Sequence, residues 1–207
     1  MSKKRAAQIL ALLARSIPEP VCELKHSNAW ELLMATILSA QCTDERVNQV
    51  TPALFNRWPE PLSLSRAVRE EVEEVVRPTG FYKNKARSIQ ECSAALVERF
   101  RGQVPRTMEE LISLPGVGRK TANLILSHCF NVPGVIVDTH VKRVAARLGL
   151  TGKEDADEVE QDLMGLLPRK GWSDGSSRLL LHGRYVCLAK KPRCGECVLS
   201  ELCPSAS

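Results

Sequence analysis

Four cysteines stand near the C-terminus at the spacing Cys187-x6-Cys194-x2-Cys197-x5-Cys203, with Pro204 directly after the last. Thiolates grouped four at a time bind tetrahedral Zn²⁺ or an iron–sulfur cluster. A zinc ribbon normally has two close C-x2-C pairs, and here only Cys194 and Cys197 form one. The outer cysteines suit ligands wrapped around a larger body such as [4Fe–4S], while zinc stays open on spacing alone. The other four, Cys22, Cys42, Cys92 and Cys129, are scattered and read as ordinary core residues.

A second constellation lies mid-chain. The string Leu114-Pro115-Gly116-Val117-Gly118-Arg119-Lys120-Thr121-Ala122 reads as a helix end, a tight Gly116-Val117-Gly118 turn and a new helix. Glycines allow the backbone to come close to a ligand, and the amides at a helix N-terminus can face a phosphate oxygen. The pattern matches the helix–hairpin–helix motif, which grips nucleic-acid backbone without reading sequence. Lys120 sits in the first turn of the new helix beside Arg119, an electropositive setting. Its free amine is a nucleophile for carbon electrophiles, the sugar C1′ of a nucleotide among them. Such chemistry also needs a carboxylate, to stabilise a cationic sugar or to move protons. Asp138 is the candidate: it is the sole acid between Glu110 and Glu154, and it also suits the N-cap of a helix starting near Thr139.

The elements that must position these groups are helical. Trp30, Leu33, Met34, Ile37 and Leu38 form one apolar stripe, Leu111 and Leu114 another, and Val141, Val144, Ala145 and Leu148 a third. Thr107 with Glu110 makes a capping-box pattern. Val135-Ile136-Val137 is the one β-branched run and too short for a secure strand, so the spacing predicts an all-α fold. Pro18 to Pro20 and Asn131 to Gly134 are the candidate hinges. They divide the chain into a central bundle over 22–132, with the hairpin at about 107–128, and a second body made of 1–21 plus 133–207.

Composition narrows the partners. The 207 residues carry 29 Lys plus Arg against 24 Asp plus Glu, and a 43% hydrophobic share excludes a mainly disordered chain. From Leu111 to Lys153 there are six basic residues (Arg119, Lys120, Lys142, Arg143, Arg147, Lys153) and one acid; from Gly175 to Gly195 there are five (Arg178, Arg184, Lys190, Lys191, Arg193) and none. Two basic segments beside a candidate site point to a phosphate backbone. The apolar stretch after the basic start, Ile9 to Ala14, is too short for a secretory signal and reads as an amphipathic first helix. No run approaches the ~20 apolar residues of a membrane span, so a cytosolic setting with reduced thiols is expected.

Taken together, Leu38-Ser39-Ala40-Gln41, the Leu114–Ala122 string, Val137-Asp138-Thr139-His140-Val141, Leu181-His182-Gly183-Arg184 and the Cys187/194/197/203 spacing resemble the bacterial endonuclease III family, from about Arg5 to Cys203. The resemblance implies a base-excision DNA glycosylase with lyase activity on oxidised pyrimidines, two helical lobes with DNA across their cleft, and a [4Fe–4S] cluster on those four cysteines. It also implies that the N-terminal helix joins the cluster lobe. The resemblance further implies that Lys120 is the Schiff-base nucleophile and Asp138 the catalytic carboxylate. Gln41 falls where the family fills the gap left by an extruded base, and Phe81 or Tyr82, after Gly80, falls in a second intercalating loop. Further DNA contacts are expected from Gly116, Val117, Gly118, Arg119, His140, Arg184, Lys190, Lys191 and Arg193. The expected partner is double-stranded DNA with damaged bases or abasic sites, bound by a monomer in the nucleoid-associated cytoplasm.

Two rival readings remain. A monofunctional adenine-mismatch glycosylase would place a glutamate where this chain has Ala35 and would lack the lysine at 120. A non-catalytic, cluster-bearing DNA-binding module would bind duplex and release no base. Cys42 after Gln41, and the segment 172–180, depart from the family pattern and bear on substrate range.

Overall fold

The structure is a computed structural model that describes residues 2–206. Among these residues there is no β-strand; the backbone is helical, with irregular connections and short 3-10 turns. The chain forms two compact units, one of residues 22–131 and one of residues 1–21 with 132–207.

The first unit is built around α2 (Ala29–Leu38), whose residues are buried on every side except for Ala29 and Glu31. A helix apolar all round belongs in the middle of a core, not on its surface. Around it lie α3 (Asp44–Arg57), α4 (Pro61–Ser65), α5 (Arg69–Val76), α6 (Tyr82–Phe100), α7 (Met108–Ile112) and α8 (Arg119–Phe130). Trp30, Leu33, Met34, Ile37, Leu38, Leu111 and Leu114 all enter one core. Side-chain caps set the starts: Asn28 accepts from Glu31 N at 2.9 Å, and Thr107 accepts from Glu110 N at 3.3 Å. The Glu110 carboxylate does not return to a backbone amide as in a full capping box; it accepts from the Thr107 hydroxyl at 2.8 Å.

The second unit joins α1 (Lys3–Ser16) to α9 (Thr139–Arg147), α10 (Ala156–Leu166) and α11 (Trp172–Tyr185). Ala6, Ile9 and Leu13 of α1 lie at helical spacing in the same core as Val141, Val144, Ala145, Leu148 and Leu179. The helix is further tied by Arg5, which donates to the Leu148 and Leu202 carbonyls at 3.1 and 2.5 Å. Val135, Ile136 and Val137 are buried without forming a strand. Serine hydroxyls of α11 take the place of a neighbouring strand: Gly134 N donates to Ser173 Oγ at 3.2 Å and Ile136 N to Ser176 Oγ at 3.1 Å.

Among the described residues, no helix is long and apolar enough to cross a membrane.

Candidate nucleic-acid interface and metal centre

In the residue 22–131 unit, α7 ends at the turn holding Gly116, whose φ of +75° lies in the left-handed region that disfavours a side chain. An added Cβ there would also come within 3.2 Å of Ser88 Cβ on α6. Val117 is buried under the turn, leaving Gly116, Gly118, Arg119 and Lys120 at least partly exposed. Gly118 is the N-cap of α8 and brings no side chain to cap it. The first amides of the helix, the two cations and the turn therefore form one electropositive surface, suited to an anionic backbone.

Beside this hairpin is a surface cavity of about 270 Å³ lined by Ile37, Ala40, Gln41, Phe81, Asn84, Lys85, Ser88 and Gly116. Gln41 and Phe81 project from separate loops, after α2 and before α6, and both hold positive φ, 52° and 47°. Non-glycine residues seldom adopt that region, and where they do it often marks a functional site. Phe81 is 67% exposed. Tyr82 packs against the core, with the Arg77 guanidinium 5.4 Å from its ring centroid. Of the two adjacent aromatics, Phe81 is therefore the one presented to solvent.

Lys85 was not expected on sequence grounds. It is 5% exposed, and its Nζ donates to the Thr79 carbonyl at 2.7 Å. Burial lowers its pKa, partly offset by the nearby Cys42. A sequence signal existed: Lys85 falls in register with the buried Ile89 and Leu96 on the inner face of α6.

In the other unit, Asp138 is the N-cap of α9 and accepts through Oδ1 from His140 N at 2.9 Å and Val141 N at 2.8 Å. Its carboxylate is thereby held in a defined orientation at the positive end of the helix. His140 is half-buried, its Nδ1 3.2 Å from Arg143 Nη2. Helices α9 and α11 meet closely at Gly183, where an added Cβ would lie 2.9 Å from His140 Cβ and from Val144 Cγ2.

Helix α11 runs straight into the cysteine segment. The His182 carbonyl accepts from Val186 N and Cys187 N at 2.9 and 2.8 Å. Arg143 donates to the Cys187 carbonyl at 3.0 Å and the Gly183 carbonyl at 2.6 Å, and Arg147 to the carbonyls of Leu188 and Ala189 at 2.7 and 3.0 Å. These two arginines, like Arg178, which donates to Ile17 O and Pro18 O, are committed to the protein's own backbone. Arg184 is half-buried, while Lys190, Lys191 and Arg193 are exposed on the cysteine loop.

Cys187, Cys194, Cys197 and Cys203 line one recess, together with His182 and Arg147. Arg147 Nη1 and Leu199 N donate to the sulfurs of Cys187 and Cys197, both at 3.4 Å. Burial pushes the Cys197 thiol up and its three cysteine neighbours add to this, against the Leu199 N–H. Four thiolates so placed require compensating positive charge. Among the described residues no three or more His, Cys, Asp or Glu side chains converge closely enough to bind a metal ion directly. Four sulfurs around one recess, with N–H donors aimed at them, fit a multi-iron cluster.

Residues 34–169 match the model of the HhH-GPD superfamily base excision DNA repair protein, and residues 187–203 match that of the iron-sulfur binding domain of endonuclease III. The chain is 53% identical over 205 residues to endonuclease III of Synechocystis sp., covering 99% of this chain and 94% of that protein. It superposes with a TM-score of 0.96 and 44% identity on a non-covalent endonuclease III–DNA complex and on a trapped endonuclease III–DNA covalent intermediate, in each case over 100% of this chain and 97% of the other. With the hairpin, the capped aspartate and the four-cysteine recess all in place along its length, this chain belongs to the endonuclease III family of HhH-GPD base excision DNA repair proteins.

Proposed function

We propose that Lys120 is the nucleophile and Asp138 the assisting carboxylate of this chain's reaction. The chain is a bifunctional DNA glycosylase and AP lyase of base excision repair, it acts on double-stranded DNA, and it carries a [4Fe–4S] cluster. The observation that carries the lysine assignment is its exposed place in the first turn of α8, directly behind the Gly116–Gly118 turn. A backbone gripped by that turn brings a sugar to the amine.

The neutral Lys120 amine attacks C1′ of the extruded nucleotide, and the N-glycosidic bond breaks with its electron pair leaving on the base. Loss of the amine proton and opening of the sugar ring give an imine between Nζ and C1′. Removal of a C2′ proton then expels the 3′ phosphate by β-elimination and nicks the strand, and water hydrolyses the imine to free the lysine. Asp138 offsets the positive charge that develops on the sugar as the base departs. Gln41 and Phe81 fill the gap in the duplex.

Cys187, Cys194, Cys197 and Cys203 hold the cluster, which orders the loop carrying Lys190, Lys191 and Arg193 against phosphate. Arg119, Arg184 and His140, with Gly116, Val117 and Gly118, complete the backbone contacts. The preferred lesions are oxidised pyrimidines, and the working place is the nucleoid-associated cytoplasm, where the substrate is.

Borohydride reduction during turnover should trap a covalent protein–DNA adduct, and Lys120→Gln should abolish it. A mutant that still traps at the wild-type level would remove Lys120 from this role.

A further inference from the structure

One buried cation of the residue 22–131 unit has no part in the chemistry described above. Lys85 lies on the inner face of α6 among Ala86, Ile89 and Gln90, a position that an apolar side chain could fill. Burying an ammonium group is costly unless it is bonded, so its retention here calls for a reason. Its place supplies one. Nζ donates to the carbonyl of Thr79, two residues before Phe81, and Thr79 in turn donates through Oγ1 to Val76 O at 2.7 Å. The turn so tied passes through Gly80 (φ 71°) and Phe81 (φ 47°), and the same cavity is lined from its other side by Gln41 (φ 52°). Phe81 and Gln41, two non-glycine residues at positive φ around one cavity, do not hold themselves; surrounding bonds must impose them.

We propose that Lys85 is a positioning residue: its buried ammonium, bonded to the Thr79 carbonyl and lining the cavity shared by Gln41 and Phe81, holds the two loops in the arrangement that fills the duplex when a nucleotide is extruded. This rests on the gap-filling role of Gln41 and Phe81. A single-stranded substrate presents no gap to fill, so Lys85 matters for duplex and little for the bare reaction at Lys120.

The test compares borohydride trapping rates on one abasic-site oligonucleotide, single-stranded and annealed to its complement, using full-length, cluster-loaded protein. Lys85→Met should lower the ratio of duplex to single-strand rate by roughly tenfold to a hundredfold, the scale expected of a misplaced positioning group. Lys85→Arg, which keeps charge and donors, should restore most of it, and it serves alone if the Met variant fails to fold, by retaining a ratio within a few-fold of wild type. Fluorescence of 2-aminopurine placed opposite the abasic site should report a less ordered gap with Lys85→Met. A wild-type ratio in Lys85→Met, or an equal loss on both substrates, overturns the proposal. Gln41→Ala and Phe81→Ala separate the two levels of inference. If neither lowers the ratio, the gap-filling reading fails; if both do and Lys85→Met does not, the positioning role alone fails.

Discussion

The carboxylate of Asp138 caps α9, and the proposed reaction assigns the same group a chemical role. The two amides it caps both bind Oδ1, which leaves Oδ2 with acceptor capacity for the reaction. Asp138→Asn keeps an oxygen for the cap and removes the charge, so the melting temperature should hold within the few degrees that ~1 kcal/mol represents. Single-turnover base excision should nevertheless fall by about 10²–10⁴, the usual scale for loss of a catalytic carboxylate. A thermal melt beside the excision rate checks both halves. Cysteines offer a contrast at the same scale. Burial pushes the Cys92 thiol up to about 12, so the reactive thiolate is scarce at neutral pH. Alkylation at pH 8 followed by mass spectrometry should leave Cys92 unmodified in the native protein. Labelling should appear in denaturant, where the thiol returns toward its ordinary value and the thiolate fraction rises.

At the scale of elements, α9 joins the proposed carboxylate to the cysteine loop: its N-cap is Asp138, and its Arg143 and Arg147 hold the backbone of residues 187–189. The helix can lie this close to α11 because residue 183 has no side chain. Gly183→Ala would press a methyl group against His140 and Val144 and should cost about 1–3 kcal/mol through overpacking. Because the displaced turn carries His140, excision should drop by more than duplex affinity does; parallel binding titrations and single-turnover rates measure that difference. The segment before α9 was legible only in part. Its β-branched residues are buried as their type suggests, yet its backbone is satisfied by Ser173 and Ser176, some forty residues further along the chain. No local pattern carries that information.

For the whole molecule, the distribution of charge matters more than its sum. Of the eleven basic residues in the two segments, Arg143, Arg147 and Arg178 spend their guanidinium groups on carbonyls of the protein. Lys190, Lys191 and Arg193 keep access to solvent on the cysteine loop. Replacing these three by alanine should weaken duplex binding and reduce the slope of log affinity against log salt by ~0.9 for each phosphate no longer neutralised. An unchanged slope in salt-dependent binding titrations would show that the loop does not touch the backbone.

What the amino-acid sequence determined by itself is whatever local rules control: the helices from their 3.6-residue apolar spacing, the Gly116 turn from glycine's conformational freedom, the Asp138 cap, and a four-thiolate site from cysteine spacing. These depend on neighbours a few residues away, so they can be read in order along the chain. Tertiary structure alone decided which groups are free to act. It buried Lys85 beneath two loops, turned Phe81 outward and Tyr82 inward, and assigned three arginines to the backbone, because burial and hydrogen-bond partners are set by segments far apart in the chain.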